Sequence, residues 1–123
     1  MEELTESELL VMKIIWASST PLSLGEITER VNNRYQKSWK EQTVSTFLRK
    51  IVSKGYLGMR RYARTFLYNP LVEEQEYEQR QLSKFLQFWS DGRADRFFAS
   101  LTKVQKLTKE EKAHIRELLD ELD

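Results

Sequence analysis

The chain has no cysteine, only two prolines and four glycines, and a single histidine. Without thiols it can form no disulfide, thiolate zinc site or iron–sulfur cluster, and it has no cysteine nucleophile. His114 has no second imidazole to complete a soft-metal site and reads as a surface residue. Gly25, Gly55, Gly58 and Gly92 are too dispersed to build a phosphate-cradling loop. No apolar run approaches the roughly 18 residues that a membrane-spanning helix requires, and the acidic opening Met1-Glu2-Glu3 does not suit a secretory signal. The expectation is a cytoplasmic protein that is not an enzyme, carries no metal or cofactor and does not insert into a membrane.

What is present is charge in an uneven distribution. The net charge is +1, with 32% of residues charged and 40% apolar over 123 residues, enough for one domain or for a small domain with a helical appendage. From Arg30 to Arg64 there are ten basic residues against one acid, Glu41, a local balance of +9; from Leu71 to Asp123 the balance is −3. The positive segment needs an anionic partner or a solvated surface.

Four Ser/Thr-x-x-Glu patterns mark helix starts: Thr5 with Glu8, Ser23 with Glu26, Ser38 with Glu41, and Thr108 with Glu111. Apolar spacing predicts a first helix over 6–18 with Leu9, Met12, Ile15 and Trp16 inward, and a second over 24–34 with Ile27 and Val31 inward and a weak end at Asn32-Asn33. A third, over 40–54, closes at Gly55. Val44, Leu48, Ile51 and Val52 form its apolar side. After Gly55 the period turns to alternation, giving two short strands around Arg61-Tyr62-Ala63-Arg64 and an end at Asn69-Pro70. Three helices followed by a basic hairpin is the order of a winged helix-turn-helix, so residues 1–70 read as a DNA-binding domain in a mainly α fold.

A helix with an apolar back and a short polar front suits the major groove. Gln42 can pair with an adenine edge and Arg49 with guanine, while Thr43 and Thr46 offer a hydroxyl and a methyl, with Ser45 at the rim. Arg60, Arg61 and Arg64 on the hairpin, and Lys37, Lys40 and Lys50 near the helix, suit phosphate contacts, with Trp39 packing beneath the helix and touching the backbone. The alternative for the same fold is a protein-interaction module whose basic face takes an acidic partner.

Glu8-Leu9-Leu10-Val11-Met12-Lys13-Ile14-Ile15-Trp16 resembles the opening helix of the penicillinase-repressor family (BlaI/MecI/CopY). Trp39, Thr43-Val44-x-Thr46, Leu48 and Lys54-Gly55-Tyr56-Leu57 resemble its recognition-helix signature, and Phe66-x-Tyr68 with Leu71-Val72-Glu73-Glu74 its second wing strand and next helix. The resemblance implies a homodimeric repressor on a palindromic promoter operator of TACA/TGTA-like type, as in antibiotic-resistance regulation, with Gln42, Thr43, Ser45, Thr46, Arg49 and Lys50 on the recognition helix. It also implies a link to a membrane sensor protease system that relieves repression by cutting at an Asn–Phe bond. The aligning bond here is Ser100–Leu101, and the cysteine-rich site of the copper-responsive branch has no counterpart.

Residues 71–123 read as a helical dimerisation region. Leu82, Phe85, Leu86 and Trp89 fall on one helix face, Phe97, Phe98 and Leu101 form a second apolar cluster, and Ile115, Leu118, Leu119 and Leu122 a third. Three short helices cannot bury this surface alone, and a twin chain is its expected cover.

Overall fold

A computed structural model describes all 123 residues. In chain order the elements are α1 (Glu6–Trp16), β1 (Leu22–Ser23), α2 (Leu24–Tyr35), α3 (Glu41–Ser53), β2 (Leu57–Tyr62), β3 (Thr65–Pro70), α4 (Glu74–Ser90), α5 (Ala94–Val104) and α6 (Lys109–Asp120). They form two compact units, Met1–Glu78 and Gln79–Asp123. The first continues past Pro70 because Val72 and Tyr77 are drawn into its core: Trp16 donates its indole N–H to the Val72 carbonyl at 2.8 Å, and its ring lies 5.9 Å from that of Tyr77.

Three of the four capping patterns operate. The hydroxyls of Thr5, Ser23 and Thr108 accept from the N–H of Glu8, Glu26 and Glu111, whose carboxylates return the bond to the cap. The fourth does not. Lys40 rather than Ser38 precedes α3, and a lysine ammonium has no acceptor to offer as a cap; one residue earlier, the Asn32 amide holds the Trp39 backbone, accepting from its N–H at 3.0 Å and donating to its carbonyl at 2.9 Å.

The core of the first unit gathers Val11, Met12, Ile14 and Ile15 of α1, Leu22 of β1, Ile27 and Val31 of α2, Val44, Leu48 and Ile51 of α3, and Tyr56, Leu57 and Tyr68. Leu9, placed inward by the sequence, only packs against its margin. The sheet has the order β1-β3-β2 and is antiparallel throughout. Its two-residue first strand, absent from the sequence reading, pairs Leu22 with Tyr68 and anchors the base of the wing.

Glu8 does more than cap. It is 2% exposed, and its carboxylate accepts from the Thr5 N–H at 3.0 Å and from Lys54 Nζ at 2.6 Å. Lys54 is the C-cap residue of α3 and also donates to the Glu3 carbonyl at 2.9 Å. Burial pushes the Glu8 carboxyl up, but the Lys54 and Thr5 hydrogen bonds and the Lys54 charge outweigh it and hold it below the ordinary carboxylate value. Lys54 is raised, chiefly by its hydrogen bond to Glu8.

At the wing tip, Tyr62 pairs with Thr65 across Ala63-Arg64, and Ala63 has φ 57. A Cβ in this left-handed region costs roughly 1 kcal/mol. Ala63→Gly is therefore expected to stabilise the protein by about 0.5 kcal/mol, the relieved strain being partly offset by the freer unfolded chain. Urea unfolding followed by circular dichroism measures it, and a loss of stability would refute the strain.

Candidate nucleic-acid interface

The geometry of α3 follows from its two faces. Val44, Leu48 and Ile51 are buried, and Phe47 packs edge-on against Trp39 with ring centroids 5.0 Å apart. Opposite them Gln42, Thr43, Arg49 and Lys50 are exposed and Thr46 is half-buried. Gln42, Thr46 and Arg49 succeed one another at spacings of a helical turn and form one stripe. Within it Arg49 Nη2 donates to Thr46 Oγ1 at 3.3 Å, and Thr46 Oγ1 donates to the Gln42 carbonyl at 3.1 Å. Ser45 is half-buried on the flank toward the core. The stripe can present an amide, a methyl and a guanidinium to base edges.

The wing separates residues that the sequence grouped. Met59 faces Tyr68 across the ladder and Arg61 faces Phe66, so Leu57, Met59, Arg61, Phe66 and Tyr68 share one face of the hairpin. Arg60 and Tyr62 point from the other. Leu57 and Tyr68 bury the base of the first face in the core, while at its outer end the Arg61 guanidinium lies 5.9 Å from the centre of the Phe66 ring. Burial pushes the Tyr68 phenol up, and the Arg49 charge offsets part of that rise. Arg61 and Arg60 therefore leave the hairpin on opposite faces, and Arg64 stands exposed in the turn.

Lys37, Lys40 and Trp39 lie in the segment entering α3. Lys37 Nζ is 5.6 Å from the centre of the Trp39 ring, and the Trp39 N–H is engaged by Asn32, leaving the indole N–H as its donor for a backbone contact. Sequence reasoning passed over Asn32, which looked like a helix-weakening residue, and read Tyr68 only as part of the second wing strand, its burial and the influence of the Arg49 charge on it depending on tertiary packing.

In the second unit the apolar clusters are largely uncovered. Leu82, Phe85, Trp89, Phe98, Leu118, Leu119 and Leu122 are exposed, whereas Leu86, Phe97, Leu101 and Ile115 are half-buried. Phe88 and Val104, at 75% and 83% exposure, extend the same apolar surface and were not singled out by sequence. Phe85, Trp89, Phe97, Leu101 and Val104 line a cavity of about 460 Å³ between α4 and α5. Ser100 and Leu101 lie inside α5. No group of three or more His, Cys, Asp or Glu side chains is placed to hold a metal ion, and no helix is long and apolar enough to cross a membrane.

Helix, helix, recognition helix and wing, with a polar stripe facing out between basic flanks, define a winged-helix DNA-binding domain. The penicillinase repressor family matches over residues 4–121, and the chain belongs to it. This is a family of DNA-binding regulators, not enzymes. The chain is 25% identical over 119 residues to the penicillinase repressor of Bacillus licheniformis, covering 97% of this chain and 91% of that one. It is also 25% identical over 118 residues to the methicillin resistance regulatory protein MecI of Staphylococcus aureus (strain N315), covering 96% and 94%. Among solved structures, the DNA-binding domain of the repressor BlaI aligns with a TM-score of 0.53 at 29% identity, over 63% of this chain and 94% of that one. The Bacillus licheniformis BlaI monomeric form in complex with the blaP half-operator aligns with a TM-score of 0.51 at 29% identity, over 62% and 89%.

Proposed function

We propose that the chain is a cytoplasmic, homodimeric transcriptional repressor that occupies a palindromic promoter operator through α3 and the wing. The observation that carries this reading is the Gln42–Thr46–Arg49 stripe on the outward face of a helix whose opposite face is buried through Val44, Leu48 and Ile51, set in a segment of charge +9. Gln42, Thr43, Ser45, Thr46 and Arg49 would read bases. Lys37, Trp39, Lys40, Lys50, Arg61 and Arg64 would contact phosphates, with Arg60 on the outer side of the wing. The likeness to BlaI, solved on a half-operator, supports DNA as the partner. The exposed leucines and aromatics of the second unit support pairing with a second copy, whose twofold axis would set two recognition helices about one turn of DNA apart, or a multiple of it. The sequence boundary of 1–70 for DNA and 71–123 for dimerisation is kept in this reading as a division of roles, although the segment through Glu78 packs with the first unit. Control by a membrane sensor protease would require α5 to unwind around Ser100–Leu101, since a helical bond does not fit an extended protease cleft.

Fluorescence anisotropy with palindromic and random duplexes tests the reading; a module for an acidic protein would show no length-dependent DNA binding at moderate salt. Two variants separate the roles. Arg49→Ala is expected to reduce discrimination between specific and random duplex by about 1–3 kcal/mol. Arg61→Ala should weaken both alike and lower the log–log salt slope by roughly 0.9 per lost phosphate contact. Equal losses on both duplexes for Arg49→Ala would remove it from base reading.

A further inference from the structure

The recognition helix is only as well aimed as the turn that launches it, and one side chain dominates that turn. Asn32, near the end of α2, is half-buried and uses both ends of its amide on a single residue: Oδ1 accepts from the Trp39 N–H at 3.0 Å, and Nδ2 donates to the Trp39 carbonyl at 2.9 Å. Its own carbonyl accepts from the Lys37 N–H at 3.2 Å. Between them Gln36 adopts the left-handed conformation at φ 52 and donates from its side chain to the Asn33 carbonyl at 2.9 Å. The pinned residue is the one whose indole packs on Phe47 in the second turn of α3. Lys40, next in the chain, begins α3 with no side-chain cap, so this end of the helix is held through Asn32 and Trp39 instead of by local capping.

We propose that Asn32 is a specificity-determining positioning residue: it touches no base, but it fixes the entry angle of α3 and so the placement of Gln42 and Thr43 at base edges. The inference rests on the repressor reading above. Its physical basis is the unequal tolerance of the two kinds of contact. Base readout needs donors and acceptors held to within roughly 0.5 Å, whereas long lysine and arginine side chains follow a displaced phosphate. A loosened turn therefore removes discrimination before it removes affinity.

The test uses the full chain and two duplexes: one enriched by the wild-type protein from a randomised pool, and a shuffled version of it. Asn32→Asp keeps the acceptor for the Trp39 N–H but sets a second acceptor against the Trp39 carbonyl; Asn32→Ala removes both bonds. Each is measured at a temperature where circular dichroism shows it fully folded, and Asn32→Asp, equal in shape, serves if Asn32→Ala does not fold. The expected result is a loss of about tenfold in the ratio of the two affinities, with shuffled-duplex affinity held within about twofold. A residue that merely supports the fold would lower both affinities together through the folded fraction. Unchanged discrimination, or equal loss on both duplexes, overturns the inference while leaving the repressor reading intact. If the wild-type protein itself prefers no duplex, the repressor reading fails and the inference falls with it.

Discussion

Glu8→Ala is expected to lower the free energy of unfolding by about 3 kcal/mol, because it takes the buried counter-ion from the Lys54 ammonium where only 11% of that side chain meets solvent. The Glu3 carbonyl and the exposed Glu2 carboxylate, 3.8 Å away, remain partners, which places the loss at the lower end of what breaking a buried pair produces. Lys54→Met leaves the opposite orphan, a carboxylate 2% exposed that must either stay charged without its counter-ion or take up a proton. The double variant Glu8→Leu with Lys54→Met should therefore lose less than the sum of the two single losses, since an apolar pair of similar volume leaves no unpaired buried charge, although the Thr5 N–H and the Glu3 carbonyl each lose a partner. The pH dependence has a definite sign on each side. Glu8 is depressed in the folded protein, so its contribution is full above the ordinary carboxylate value and disappears as pH falls through its lowered value. Lys54 is raised, so its contribution is full below the ordinary lysine value and disappears as pH rises through its raised one. Urea midpoints measured from neutral to acid pH should show a decline in the wild type that is shallower in the double variant. Equal acid slopes in the two proteins would mean that the pair does not contribute in this way.

The pair also marks where sequence reasoning ends. Thr5-x-x-Glu8 was legible as a capping box because both partners lie within one turn, and the box operates. The second role of Glu8 joins it to Lys54, across the fold, and no spacing rule reaches that far. The same division explains Ser38. Its pattern with Glu41 satisfies the local rule, but α3 starts after Lys40, two residues later than the pattern requires, and the preceding Trp39 backbone is held by Asn32 instead. Periodicity exposed the buried and outward faces of α3 directly, since Val44, Leu48 and Ile51 repeat at helical spacing. It placed Arg60 and Arg61 together because they are adjacent, although strand geometry sends neighbours to opposite faces once the register Met59–Tyr68 is known. The strand Leu22–Ser23 is too short to carry a period at all. The family was readable from the clustered motifs of α1, α3 and the wing, and the match over residues 4–121 agrees with it.

Leu119→Asp is expected to convert the protein to a monomer and to weaken binding to a palindromic duplex by about a hundredfold or more, because joining two half-sites multiplies their affinities through effective concentration. Leu118 and Leu119 on α6 and Leu122 just beyond it are 50%, 59% and 71% exposed, and none of the helix's residues is buried. An amphipathic helix in that condition gains little from folding alone. It gains roughly 25 cal/mol for each Å² of apolar surface that a second copy covers, and a carboxylate placed in the seam would have to be desolvated without a partner. Because Leu119 is exposed within the protomer, the variant should keep its helical signal and its affinity for an isolated half-site, which separates loss of pairing from loss of fold. Light scattering gives the mass, and anisotropy on half-site and full-site duplexes gives the two affinities. An unchanged dimer would move the interface away from α6, toward the exposed Phe88 and Trp89 on α4. A monomer that still binds the full site as tightly as the wild type would sink the twofold repressor itself.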